Sequence, residues 1–155
     1  MMIVCLLLCL FLILSFLVYA SYSIQSGIYL RSFCKKRTTE KVVALTFDDG
    51  PDPIQTPKVL KVLKEYQATA CFFCIGHKVK GNETLLKSMV TEGHLIGNHS
   101  YSHPDFKKIT IKEGLAEIEK TQQIIYKTIL HYPRVFRFPY GSVNKEILKR
   151  IDMPA

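Results

Sequence analysis

Hydrophobic and polar positions divide the chain into two unlike parts. Residues Met1 to Ala20 hold no charged side chain, and the apolar character runs weakly on through Tyr22 to Ile24. Cys5 to Phe11 leave no polar face, which sets the segment apart from an amphipathic core helix. About 20 apolar residues at 1.5 Å rise match a hydrocarbon core of roughly 30 Å. Residues 1–24 are therefore expected to form a transmembrane anchor or a signal sequence. No basic residue precedes the run, which favours an uncleaved anchor. Val18-Tyr19-Ala20 before Ser21 nevertheless offers the small residues a signal peptidase reads, so cleavage after Ala20 would release the rest.

Residues 25–40 read as a basic linker without apolar periodicity, and the globular domain is expected over 41–155. Val42 to Phe47 is a β-branched apolar run that stops at Asp48-Asp49-Gly50-Pro51, the pattern of a buried strand meeting a turn. Thr56 as N-cap and Pro57 at the first helical position open a helix in which Val59, Leu60, Val62, Leu63 and Tyr66 keep helical spacing. Ala68 to Ile75 is the next strand. A helix over Glu83 to Thr91, capped by Asn82 in front and closed by Gly93 behind, leads to a short strand, His94 to Ile96, which runs into Gly97-Asn98-His99. Thr110 caps the longest helix, Ile111 to Leu130, and Pro133 stops it before a strand over Val135 to Phe138. Asn144 starts a last helix that reaches Ile151. Strands alternating with helices predict parallel βαβ units in an α/β layer or barrel, where chemistry gathers at the C-terminal ends of the strands.

Composition narrows the picture. With 48% hydrophobic and 22% charged residues in 155, the chain has the makeup of one folded domain plus an appendage and not of a disordered polymer. The net charge is +8, and the first charged side chain is Arg31. Arg31, Lys35, Lys36 and Arg37 follow the apolar span, so the positive-inside tendency would keep that side cytoplasmic, although long domains translocate largely regardless of charge. The charge suits an anionic envelope polymer or lipid surface. Scattered basic residues without a binding motif exclude nucleic acid as the expected partner.

Three polar clusters fall at predicted strand ends. His99-Ser100-Tyr101-Ser102-His103 spaces two imidazoles so that one helical turn would bring both to one side. Asp48 and Asp49 are adjacent, so their side chains diverge, and one can bind a metal while the other remains free as a base. Two histidines and one carboxylate make a divalent-metal site with open positions, and zinc is the default ion. A metal-activated water beside a free carboxylate implies hydrolysis of an amide or ester. In Arg137-Phe138-Pro139-Tyr140-Gly141, a guanidinium could hold one aspartate by a bidentate pair, and the turn could offer the Tyr140 N–H to an oxyanion.

Taken together and in this order, Thr46-Phe47-Asp48-Asp49-Gly50-Pro51, His99 to His103 and Arg137 to Gly141 resemble the first three motifs of the polysaccharide deacetylases, the NodB homology domain of carbohydrate esterase family 4. The resemblance runs from Lys41 to the C-terminus and implies a distorted (β/α) barrel. It implies metal-dependent removal of N-acetyl groups from N-acetylglucosamine-containing polysaccharide, peptidoglycan or chitin-like, with Zn2+ or an ion such as Co2+. Residue by residue it implies Asp48 as general base, Asp49, His99 and His103 as metal ligands, and Arg137 as the group orienting Asp48. Tyr140 would offer its backbone N–H to the oxyanion and line the substrate groove. The implied location is the cell membrane, single-pass, with the domain facing outside, or secretion after cleavage.

The family pattern continues with an Asp-Trp motif and a Leu/His motif whose histidine protonates the leaving amine. This sequence has no Trp, and His131 is its only histidine beyond the second motif. The resemblance thus implies a barrel incomplete at its C-terminus, and it carries an alternative to a working enzyme: an inactive truncated remnant or a metal-binding surface module. Cys71-Phe72-Phe73-Cys74 near His77 lacks a second pair for zinc, and residues three apart in a strand face opposite ways, so both thiols are expected to pack as small hydrophobes. Five cysteines show no disulfide framework, and His77, His94 and His131 are expected in surface or structural roles.

Overall fold

The computed structural model describes residues 2–22 and 38–154, and the chain divides into two compact units, Met1–Glu40 and Lys41–Ala155. In the first unit, α1 spans Met2–Tyr22 and is long and apolar enough to cross a membrane, with none of its most apolar stretch buried. A signal sequence has the same properties. Most of the expected basic linker, including Arg31, Lys35, Lys36 and Arg37, lies outside the described residues.

The second unit alternates strands and helices: β1 (Leu45–Gly50), α2 (Gln55–Glu65), β2 (Ala70–Cys74), α3 (Gly76–Val79), α4 (Glu83–Thr91), β3 (Leu95–Asn98), α5 (Ile111–Ile129) and α6 (Lys145–Leu148). The strands are parallel in the order β1-β2-β3, and a parallel bridge from Asn98 to Phe136 adds the start of a fourth position. Among the described residues the sheet is an open α/β arc, in keeping with a NodB-type barrel that is incomplete.

Alternation along the strands sends one face into the helices. Phe72 and Cys74 of β2 and Ile96 of β3 are buried with Leu60 and Leu63 of α2, Leu86 and Met89 of α4 and Ile125 of α5. A second cluster gathers Phe106, Ile118, Phe136, Phe138 and Ile147. Phe106 is wholly buried and meets the rings of Phe136 and Phe138 edge-on, with centroids 5.7 and 5.1 Å away. This aromatic cluster fixes the segment that carries Arg137 between two of its members.

Several element boundaries differ from the sequence expectation, each for a local reason. The first strand begins at Leu45 rather than Val42 and continues through both aspartates to Gly50. Asp52, not Thr56, caps α2: its Oδ1 accepts the N–H groups of Ile54 and Gln55 at 2.9 and 2.6 Å. Thr56 lies inside the helix, buried, with its hydroxyl accepting the Asp52 N–H. Before α4, Asn82 makes no side-chain cap bond and instead donates to the Lys78 carbonyl. Thr110 does cap α5, reciprocally with Glu113 as a capping box. The strand expected over Val135 to Phe138 is reduced to the Phe136 bridge, in which the Val135 carbonyl accepts from Asn98 and the Arg137 N–H donates to the Asn98 carbonyl. The Phe136 N–H on the other side donates to the Pro154 carbonyl, and Pro133 and Pro139 stand on both sides. The final helix covers only Lys145–Leu148, with Asn144 Oδ1 accepting from Glu146 and Ile147.

Candidate metal centre and active site

The site begins with an irregularity in β1. Phe47 pairs with Phe72, but the next partner pair is Gly50 with Cys74, so β1 carries one more residue than β2 over the same stretch. Such a bulge re-aims side chains, and Asp49 takes the left-handed conformation, φ 66°, that makes the turn. In a regular strand two neighbours would point to opposite faces. Here Asp48 turns to Arg137 and Asp49 to the two histidines. Lys78 of α3 steadies the bulge by donating from Nζ to the Asp49 carbonyl at 2.9 Å.

His99 follows β3 directly and is buried. Its Nδ1 lies 2.7 Å from the Arg137 carbonyl, which can only accept, so Nδ1 carries the proton and Nε2 keeps its lone pair. Burial pushes the His99 imidazole below its ordinary pKa, again favouring the neutral form. His99 Nε2 is 3.5 Å and His103 Nε2 3.1 Å from the same Asp49 Oδ1. Ligands about 2.0–2.1 Å from a tetrahedral zinc ion stand roughly 3.4 Å apart, which is the spacing seen here. For a neutral His99, the Nε2 lone pair faces a carboxylate oxygen, two acceptors that a cation between them would reconcile. The donor set therefore fits a divalent metal.

The imidazoles do not meet through a helical turn, as their spacing predicts. Residues 99–103 form a loop in which Ser100 (φ 64°) and His103 (φ 61°) both adopt left-handed backbone, and this curvature brings the ring centroids to 4.9 Å.

Arg137 reaches Asp48 Oδ1 with one nitrogen, Nη1, at 2.7 Å, and the same nitrogen donates to Thr46 Oγ1 at 3.1 Å. The contact is single rather than bidentate because Thr46 shares that nitrogen while the guanidinium plane lies over the Phe73 ring, 4.0 Å from its centroid. Beyond Arg137, Pro139–Gly141 forms one short 3-10 turn closed by the N–H groups of Gly141 and Ser142. Tyr140 sits inside it at φ 57°, its N–H outside those two bonds and its ring 76% exposed, edge-on to His103 at 4.6 Å. Asp105, after His103, accepts from Ser142 and is held below the ordinary carboxylate range chiefly by that bond, so the second and third clusters are tied together behind the site.

All six singled-out residues, Asp48, Asp49, His99, His103, Arg137 and Tyr140, thus converge at the C-terminal ends of the strands. Sequence reasoning missed Thr46, Phe73, Lys78, Asn98 and Glu117. Asn98 carried a signal, a polar residue ending an apolar run, and it is the last residue of β3, wholly buried, its Oδ1 accepting the Ser100 N–H. Of the residues set aside, Cys74 is wholly buried, and burial pushes its thiol far above the usual range. Cys71 is only partly buried, correcting the expectation that both thiols are core residues. Among the described residues, Cys5, Cys9, Cys71 and Cys74 are free thiols. His77 donates to the Tyr101 carbonyl, and His94 accepts the Ala70 N–H.

The family model for polysaccharide deacetylase matches residues 35–153. The chain belongs to the polysaccharide deacetylase family. It is 43% identical over 114 residues to the peptidoglycan-N-acetylmuramic acid deacetylase PdaC of Bacillus subtilis, covering 74% of this chain and 24% of that protein. It is 41% identical over 119 residues to the peptidoglycan-N-acetylglucosamine deacetylase PgdA of Listeria monocytogenes, covering 77% of this chain and 26% of that one. The solved structure of PdaC superposes with a TM-score of 0.73 at 42% identity, over 75% of this chain and 57% of that chain. A family 4 acetyl xylan esterase from Clostridium thermocellum, solved with a cobalt ion, superposes with a TM-score of 0.68 at 33% identity, over 71% of this chain and 54% of its own. The polysaccharide deacetylase fold is thereby shown, and the chain spans about a quarter of the length of these curated relatives.

Proposed function

We propose that the second unit carries a deacetylase centre that hydrolyses N-acetyl amides of an N-acetylglucosamine-containing polysaccharide, peptidoglycan or a chitin-like polymer, at the cell surface. The observation that carries this reading is the division of labour between adjacent carboxylates. Asp49 Oδ1 lies within 3.5 Å of both imidazoles, and Asp48 is held separately by Arg137. The names of the relatives, all glycan deacetylases or esterases, support the substrate class.

Asp49, His99 and His103 would hold one divalent ion, Zn2+ by preference and Co2+ as its substitute. When bound, such an ion lowers the pKa of a water and polarises a carbonyl oxygen. Asp48 would act as general base: Arg137 fixes its Oδ1, which leaves the second oxygen outside that bond to accept a proton. The Tyr140 N–H, outside the bonds that close its turn, would donate to the developing oxyanion. The exposed Tyr140 ring would wall the groove against a sugar. His131 does not protonate the leaving amine, because α5 runs back from the catalytic end and His131 follows its far terminus, exposed.

The N-terminal helix is proposed as a single-pass anchor that keeps the domain outside the membrane, beside its polymer. The deciding experiment is acetate release from an N-acetylglucosamine oligomer by the purified full chain, with Zn2+ or Co2+ and after chelation. Metal-dependent release that falls by about 10²- to 10⁴-fold in Asp48→Asn is expected. Metal binding without any release would support the metal-binding surface module instead.

A further inference from the structure

The loop between the two histidines holds two non-glycine residues, Ser100 and His103, in left-handed backbone. Left-handed backbone is unfavourable for a residue with a Cβ and persists only where its surroundings enforce it. The ends of the loop are held locally. Asn98 Oδ1 accepts the Ser100 N–H at 2.9 Å, and Ser100 Oγ accepts the His103 N–H at 3.1 Å.

The middle of the loop is held from elsewhere. Glu117, half-buried on α5, accepts the N–H groups of both Tyr101 and Ser102 on Oε2, at 2.9 and 2.7 Å. Its Oε1 accepts the Ser102 hydroxyl at 3.0 Å. The adjacent helix residue grips the other flank, since the Ile118 carbonyl accepts from Asn98 Nδ2 at 2.9 Å. One carboxylate thus takes three donors from two consecutive loop residues that lie between the imidazoles. Bonds to an ionised acceptor are roughly twice as strong as neutral ones.

We propose that Glu117 is a positioning residue for the metal centre. By clamping Tyr101 and Ser102 it imposes the loop curvature that aims His103 at Asp49 and His99. The inference rests on the metal reading of that triad. The Glu117 carboxylate bonds Tyr101 and Ser102 and none of the three ligand side chains, so it acts on the metal through the backbone that carries His103.

The test is Co2+ affinity of the purified full chain, measured by competition with a chromophoric chelator, beside thermal unfolding without metal. Glu117→Ala is expected to weaken Co2+ binding about 10- to 100-fold, the range for groups that orient ligands. Glu117→Gln keeps an oxygen for the two N–H groups and can donate its amide to the Ser102 hydroxyl, so it should restore affinity to within a few-fold. Glu119→Ala, one exposed carboxylate further along α5 that bonds only Gln123, should leave affinity unchanged. Should Glu117→Ala not fold, Glu117→Asp decides, because the shorter side chain cannot reach all three donors and should bind more weakly. A folded Glu117→Ala or Glu117→Asp with wild-type Co2+ affinity would overturn the proposal. Wild-type chain that binds no Co2+ would overturn the metal reading itself, and a wild type that binds while the variants match it would overturn Glu117 alone.

Discussion

Asp48 and Asp49 are chemically identical neighbours, and one extra residue in β1 gives them different partners, Arg137 for Asp48 and the two histidines for Asp49. Replacing each therefore has a distinct expected effect. Asp48→Asn should lower acetate release by about 10²- to 10⁴-fold while leaving metal affinity intact, since only a proton acceptor is removed. His103→Ala should abolish binding of a divalent ion, read by the same chelator competition. That the candidate residues would gather at one end of the sheet was legible in the sequence, because they are polar side chains at the ends of apolar runs, in three ordered clusters. Their supports were not. Glu117 is one of three acidic residues on the amphipathic helix α5, and nothing in its neighbourhood marks it as the acceptor for a loop that precedes it. The left-handed backbone at Ser100 and His103 was equally hidden, since neither position holds the glycine that usually announces it.

At the scale of elements, the site depends on close approach between β2 and β3. A Cβ built on Gly97 would lie 2.6 Å from the Phe73 ring, and that ring carries the Arg137 guanidinium. Gly97→Ala is expected to destabilise the domain by about 1–3 kcal/mol, seen as a lower unfolding midpoint, and to weaken the Arg137–Asp48 contact. Acid sensitivity belongs to this scale as well. Backbone N–H donors hold Asp52 below its ordinary range at the start of α2, and Thr110 does the same for Glu113 in the α5 capping box. Their folded-state values lie below the unfolded ones, so the stability they give is complete above the ordinary carboxylate range of about 4 and is lost as pH falls through the folded values. The unfolding midpoint should therefore drop below about pH 4, and Thr110→Ala should reduce that dependence. The α5 helix was read correctly because apolar spacing and end signals agree there, and α4 was read correctly from its spacing although Asn82 does not cap it. The α2 cap and the Phe136 segment were misread for one reason: which backbone N–H finds which acceptor depends on tertiary neighbours such as Asp52 Oδ1 and the Pro154 carbonyl.

For the whole molecule, a 21-residue apolar helix precedes a domain whose candidate site gathers at the C-terminal ends of its strands. Deleting residues 2–22 is expected to move the protein from the membrane fraction to the soluble one, whereas a cleaved signal would leave the mature domain soluble from the start. The alternating pattern made the α/β class and the parallel order readable, because both follow from local periodicity. That the arc stays open among the described residues followed from the family resemblance and not from periodicity, since closure depends on pairing along edges such as β1. The account as a whole stands on one divalent ion held by Asp49, His99 and His103, and titrating the full chain with Co2+ while following the ligand-field absorption tests it most directly. One saturable site per chain that is lost in both His99→Ala and His103→Ala is the predicted result, and an absence of saturable binding, or binding unchanged in those variants, would contradict it.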